Sequence, residues 1–168
     1  MAITIEQFGT ECHDILTTDS SIAGVEKVAQ RLQDALKDET FVETHLGPNA
    51  NAERNIIYED SDLGFCVIAH VYKGAKSSNP HDHGPSWAIY GQAKGTTVMT
   101  DWKLLDAPSG GNPGRVEKVR DYELKPGMAQ AYGVGVLHSP ERAGETRLIR
   151  IEGKNMASVT RDKFVEAA

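Results

Sequence analysis

The sequence predicts a mainly β fold, a sandwich or jelly-roll barrel behind an all-helical start. Three observations carry this. After residue 50 the chain breaks into about eight short runs rich in β-branched and aromatic residues. Clusters of Gly, Pro, Asn and Asp separate those runs. Before residue 46 apolar residues instead recur at spacings of three and four, the helical period.

Taken in order, residues 4–17 and 20–38 read as helices. In the second, Ile22, Val25, Val28, Ala29, Leu32, Ala35 and Leu36 form one apolar stripe, with Glu26, Lys27, Arg31 and Asp34 largely outside it. Asp19 or Ser20 is the expected cap, because a short polar side chain can accept from the free N–H groups of the first turn. The stripe reads as a face packed on the barrel. His13 and His45 fall in this region and read as ordinary polar positions. Gly47–Asn51 is a loop. Asn55–Glu59 and Phe65–Tyr72 follow as strands, joined by a hairpin turn through Asp60–Gly64. Trp87–Gln92, Thr96–Trp102, Val116–Leu124, Ala129–Tyr132 and Thr146–Ile151 are the further expected strands. Turn signals lie between them at Lys94-Gly95, Pro108–Gly114, Lys125–Gly127 and Ala143-Gly144. The tail after residue 155 is ambiguous, with Phe164 and Val165 as candidates for packing on the barrel. One domain spans residues 1–168, with helices in 1–45, the barrel in 51–152 and a tail in 153–168.

Composition narrows the function classes. A chain of 168 residues buries about 70% of its unfolded surface without needing disulfide or metal staples. Its net charge of -6 argues against nucleic acid, whose phosphates attract basic surfaces. No apolar run is long enough to span a membrane. The first residues lack a basic start followed by an apolar run, so the expectation is a cytoplasmic protein. Cys12 and Cys66 are far apart and read as two reduced thiols. The oligomeric state is left open.

The chemistry concentrates in Asn79-Pro80-His81-Asp82-His83-Gly84-Pro85. In an extended segment side chains alternate, so His81 and His83 share a face. A third imidazole, His138, closes Gly133-Val134-Gly135-Val136-Leu137-His138. Three neutral imidazoles on a rigid barrel suit Fe(II), Zn, Ni, Mn or Cu and leave coordination positions open on one side. Asp82 alternates outward and reads as a turn carboxylate.

Gly74…His81-x-His83…Gly95, followed by Gly127-x5-Gly133-x-Gly135-x2-His138, resembles the two cupin motifs. The resemblance implies a cupin double-stranded β-helix. In the family pattern a glutamate ligand usually stands where this chain has Ala88, and Gly133 stands where proline is common. A narrower resemblance is to the thiol dioxygenases, the cysteine dioxygenase-like cupins that hold Fe(II) with histidines alone. Four stretches carry it: Glu53-Arg54-Asn55-Ile56-Ile57, Ser77-Ser78-Asn79-Pro80-His81-Asp82-His83, Asp101-Trp102, and Val134-Gly135-Val136-Leu137-His138. It covers residues 51 to about 152, in the same order.

That resemblance implies a set of roles. His81, His83 and His138 would bind the metal, Fe(II) first, with Zn, Ni or Mn in the purified protein as alternatives. Arg54 would clamp a substrate carboxylate, since a planar fork matches it bidentately. The expected reaction oxidises a small carboxylate-bearing thiol to a sulfinate with O2. Two departures stand out. Cysteine dioxygenases crosslink a cysteine to a tyrosine beside the iron, and Ala88 occupies that cysteine position. The family's serine, histidine and tyrosine at alternate positions of the last strand are replaced by Leu148, Arg150 and Glu152. Arg150 is therefore a second candidate clamp, with Glu152 a candidate partner if the pair points inward. Tyr90 shares strand parity with Ala88 and is a candidate phenol facing the metal. His70 is a candidate proton carrier or extra ligand, with a satisfied core histidine as the alternative. Other readings stay open: a metal-dependent cupin with a non-thiol dioxygenase or isomerase activity, or a non-catalytic small-molecule-binding cupin.

Overall fold

A computed structural model describes residues 2–168. Three helices lead: α1 (Ile5–Thr18), α2 (Ile22–Lys37) and α3 (Glu39–Leu46). Ten strands follow: β1 (Asn55–Glu59), β2 (Cys66–Tyr72), β3 (Lys76–Ser77), β4 (Ala88–Lys94), β5 (Thr97–Asp106), β6 (Gly114–Leu124), β7 (Ala129–Tyr132), β8 (His138–Arg142), β9 (Thr146–Glu152) and β10 (Phe164–Glu166). The fold is mainly β, as the short runs and turn signals predict.

The helical boundaries follow their caps. The Thr4 hydroxyl accepts from the Gln7 N–H, and the Gln7 side chain accepts from the Thr4 N–H, closing a capping box on α1. Helix α2 is capped by Ser21, which accepts from Ala23 N–H at 3.2 Å. This corrects the expectation of Asp19 or Ser20, because Asp19 is engaged in ending α1 and in holding Ser21. The periodicity of α2 also hides a break. Asp38 turns its carboxylate onto the N–H groups of Thr40 and Phe41, ending α2 and starting α3.

The strands form two five-stranded sheets, ordered β1-β2-β9-β4-β7 and β10-β6-β5-β8-β3. The first sheet has two unlike faces. Val67, Ala69, Val71, Ile89, Ile149 and Ile151 pack against Phe8, Val28, Leu32 and Phe41 of the helices. The alternate residues turn the other way: Ala88, Tyr90 and Leu148 meet Met99 and Leu124 of the second sheet. Period-two alternation therefore separates a helix-packed core from a barrel interior. At Gly91 the helix comes so close that a Cβ would lie 2.5 Å from Leu32 Cδ2. Outside the interior, Arg147 reaches the carbonyls of Leu46, Gly47 and Ala50 and ties the end of α3 to β9.

Three strands lie outside the expected set. β3 has two residues and is too short to show a pattern. β8 carries Pro140 and is absent from the expected strands, yet it pairs with both β5 and β3. β10 pairs parallel to β6, with Phe164 buried against Val116, so the ambiguous tail does pack on the barrel.

Candidate metal centre and its cavity

Backbone pairing brings the distant imidazoles together. His81 and His138 form an antiparallel bridge: His81 N–H donates to His138 C=O at 3.0 Å, and His138 N–H donates to His81 C=O at 2.9 Å. His83 is turned back toward them by the segment that follows. Asp82 accepts from Gly84 N–H at 3.0 Å, and Gly84 takes a φ of 56°, open to glycine without strain. Asp82 is thus the turn carboxylate the sequence predicts.

The ring nitrogens converge. One nitrogen from each of His81, His83 and His138 lies within 4.8 Å of the others. His83 and His138 bring their Nε2 atoms to 3.3 Å. Two nitrogens about 2.1 Å from one ion would be separated by roughly 3.0 Å at right angles and roughly 3.4 Å at the tetrahedral angle. The observed separation matches that range.

The tautomers fit as well. His81 Nδ1–H donates to Asn79 C=O at 2.8 Å, and His138 Nδ1–H donates to Val136 C=O at 3.1 Å. Each hydrogen bond leaves Nε2 with a bare lone pair, the arrangement a metal ligand needs. The Tyr90 hydroxyl lies 3.0 Å from His83 Nε2 and 3.4 Å from His138 Nε2, but it has one proton to give. At least one buried lone pair therefore lacks a donor, and a shared cation would satisfy it. Burial, then the neighbouring imidazoles or the backbone, sets the titration: His81 is pushed down to about 4, His138 to about 3, and His83 lower still. All three are neutral at neutral pH, so no proton competes with a metal.

The surrounding residues take distinct positions. Ala88 is fully buried and pairs in register with Glu152 on the next strand. The carboxylate thus stands one strand over from Ala88 and behind His83. Glu152 Oε1 is 3.8 Å from His83 Nδ1, which has no hydrogen-bond partner of its own. The same oxygen is 3.0 Å from Arg150 Nε, an ion pair without a well-aimed N–H. Glu152 Oε2 faces the other way, toward Arg54 at 3.9 Å and Met156 N–H at 3.4 Å.

A cavity of about 520 Å³ opens beside His81 and is lined by Tyr72, Tyr90, Arg142 and Arg150 among others. Arg150 points inward over the Tyr90 ring, 5.8 Å from its centroid. Arg54 is not among the lining residues. The Glu152 carboxylate stands between it and Arg150, and its guanidinium donates to Asn155 Oδ1 at 3.0 Å. The expected clamp is therefore engaged at the edge of the barrel. Ala88, His70 and Glu152 also lie behind the cavity wall rather than on it. His70 donates from Nδ1 to Glu53 C=O, and its Nε2 has no partner. Burial, reinforced by Arg150, pushes its pKa down to about 2, so the ring is neutral at neutral pH. A wider groove bordered by Leu36, Thr40 and Pro126 shares no lining residue with this cavity.

Two groups escape the sequence reading. Tyr132 stacks on His138 at 4.2 Å and hydrogen-bonds Tyr122, whose hydroxyl meets Asp101. Arg142 lies in the cavity wall, on a strand outside the expected set. Alternation from His138 would have found it, since residues 138, 140 and 142 share a face.

Fold and site together define a mainly β, double-sheet protein with a three-imidazole centre that can hold one metal ion. The chain matches no family model, and no curated protein matches it. Solved structures with partial likeness include a cupin-2 domain containing protein from Shewanella frigidimarina, at 17% identity and a TM-score of 0.43, covering 61% of this chain and 81% of that one. KdgF from Halomonas sp. is similar at 15% identity and a TM-score of 0.43, over 59% of this chain and 74% of that one. The Cnp3 cupin domain of Schizosaccharomyces pombe is similar at 11% identity and a TM-score of 0.48, over 64% and 66%. These partial likenesses carry no argument about chemistry.

Proposed function

We propose that this chain is a metal-binding cupin of the thiol dioxygenase type. The observation that supports it is the convergence of three neutral imidazoles, each presenting a lone pair, on one point of the barrel wall. The proposed substrates are O2 and a small thiol that bears an acid group. A bound Fe(II) would supply open coordination positions and redox capacity. The net change is RS⁻ + O2 → RSO2⁻, in which sulfur loses four electrons and dioxygen gains them.

The protein's own residues have separable tasks. His81, His83 and His138 hold the metal; Asn79 and Val136 orient the second ring nitrogens of His81 and His138, and the Glu152 carboxylate stands 3.8 Å from that of His83. Arg150 fixes the acid end of the substrate and so orients the sulfur. Tyr90 keeps its proton, because burial raises its pKa, and offers an O–H beside the imidazoles. Ala88, Leu148 and Met99 form an apolar interior on the same side.

The test is oxygen uptake by Fe(II)-loaded protein with a panel of small thiol acids, after metal analysis of the purified chain. No uptake above free iron on any of them would remove the thiol assignment. A second reading has its own support: Leu148, Arg150 and Glu152 stand where the resembled family has serine, histidine and tyrosine. It proposes a metal-dependent cupin acting on a non-thiol acid. Tightly held zinc or manganese, with no oxygen dependence, would favour it.

A further inference from the structure

The cavity wall carries more positive charge than one carboxylate needs. Arg142, Arg150, Arg161 and Lys163 line it, against Asp162 as its one acidic side chain. The whole chain has a net charge of -6, so this concentration runs against the general balance. The four cations are not equivalent. Arg161 and Lys163 are exposed at the mouth, and Arg161 donates to the Asp82 carbonyl at 3.1 Å. Arg150 is paired with Glu152. Arg142 is only 4% exposed, enters none of the ion pairs among the described residues, and leaves Nε without a hydrogen-bond partner. Its guanidinium sits over the face of Tyr72, 4.7 Å from the ring centroid.

An unpaired buried guanidinium is costly unless something anionic satisfies it. A ring against its face leaves the edge of a planar fork free, and that edge matches two oxygens of a carboxylate or phosphate. The cavity has the volume of a small-molecule site.

We propose that the substrate is a small diacid. One acid group binds between Arg142 and Arg150 in the interior, and the second is held at the mouth by Arg161 and Lys163. This deepens the reading above and rests on it only for which end of the molecule meets the metal. A dicarboxylate and a phosphorylated carboxylic acid share the required chemistry, and the probes below separate them.

Calorimetric titration of zinc-loaded and metal-free protein with acetate, succinate and phosphoglycolate tests the proposal without any turnover. At least one diacid should bind tenfold or more tightly than acetate. Succinate ahead of phosphoglycolate would mark a dicarboxylate site, and the reverse a phosphate site. Arg142→Gln should weaken the preferred diacid at least tenfold. Arg142→Lys, which keeps the charge and the packing, should weaken it at least threefold because the fork is lost. The double variant R161Q/K163Q should erase the preference for diacid over acetate. Equal binding of acetate and both diacids overturns the proposal, as does wild-type affinity in a folded Arg142→Lys protein. Zinc stoichiometry, counted separately, keeps the two readings apart. A chain that takes up no zinc but binds diacids through Arg142 loses the metal reading alone. A chain that takes up one zinc and ignores Arg142 loses the diacid alone.

Discussion

His70→Gln should make the metal-free protein markedly less sensitive to acid. His70 is 2% exposed and faces the barrel interior near three arginines. Burial is the main cause that lowers its pKa from 6.5 to about 2; Arg150, Arg142 and Arg54 push the same way, and the hydrogen bond to Glu53 C=O opposes them. The unfolded chain therefore takes a proton on this ring below pH 6.5 that the folded chain refuses. Stability is full above that pH and falls as the pH drops. From pH 6.5 to 5.0 the loss is 1.5 pH units at 1.36 kcal/mol each, or about 2 kcal/mol. Urea unfolding followed by circular dichroism, at pH 7.5 and pH 5.0, measures it. Other buried histidines contribute to both proteins and cancel in the comparison. Wild type should lose about 2 kcal/mol more than His70→Gln between the two conditions. Equal losses would refute the claim that His70 is held neutral by its surroundings.

Three further outcomes follow from the geometry. Zinc at a hundred times its dissociation constant should stabilise the folded chain by about 2.7 kcal/mol, seen as a raised unfolding temperature that a chelator reverses and His138→Gln abolishes. Tyr90→Phe should leave metal stoichiometry unchanged, because the phenol is not a needed ligand. Turnover of any thiol acid that wild type oxidises should fall on the order of 10²-fold, the usual worth of a positioned proton donor; unchanged turnover would clear Tyr90 of that role. Gly91→Val places a Cβ 2.5 Å from Leu32 Cδ2 and 2.9 Å from Leu36 Cδ1. It should cost about 1–3 kcal/mol by overpacking, read by thermal melting, without changing metal content.

Much of the centre was legible because local spacing carries it. His81 and His83 are two apart, and the turn residues around them leave few other arrangements. His138 required the family pattern, since no local rule links it to residues so far back in the chain. Arg150 was legible from alternation with Leu148 and Glu152, though not which face was inside. Arg54 needed the structure to show its surroundings. Its neighbours in sequence match the resembled segment, but Glu152 and Asn155 engage it at the barrel edge. Arg142 escapes the sequence reading because residues 138–142 are not among the expected strands.

The sequence by itself determined most of the elements, the mainly β class and the shared face of His81 and His83, because side-chain periodicity and turn chemistry act over a few residues. Only the tertiary structure decided which arginines share a cavity with those imidazoles and which are already paired. The reason is that charge pairing depends on distances across strands. Strand register sets those distances, and it emerges only when β8 and β9 take their places in separate sheets.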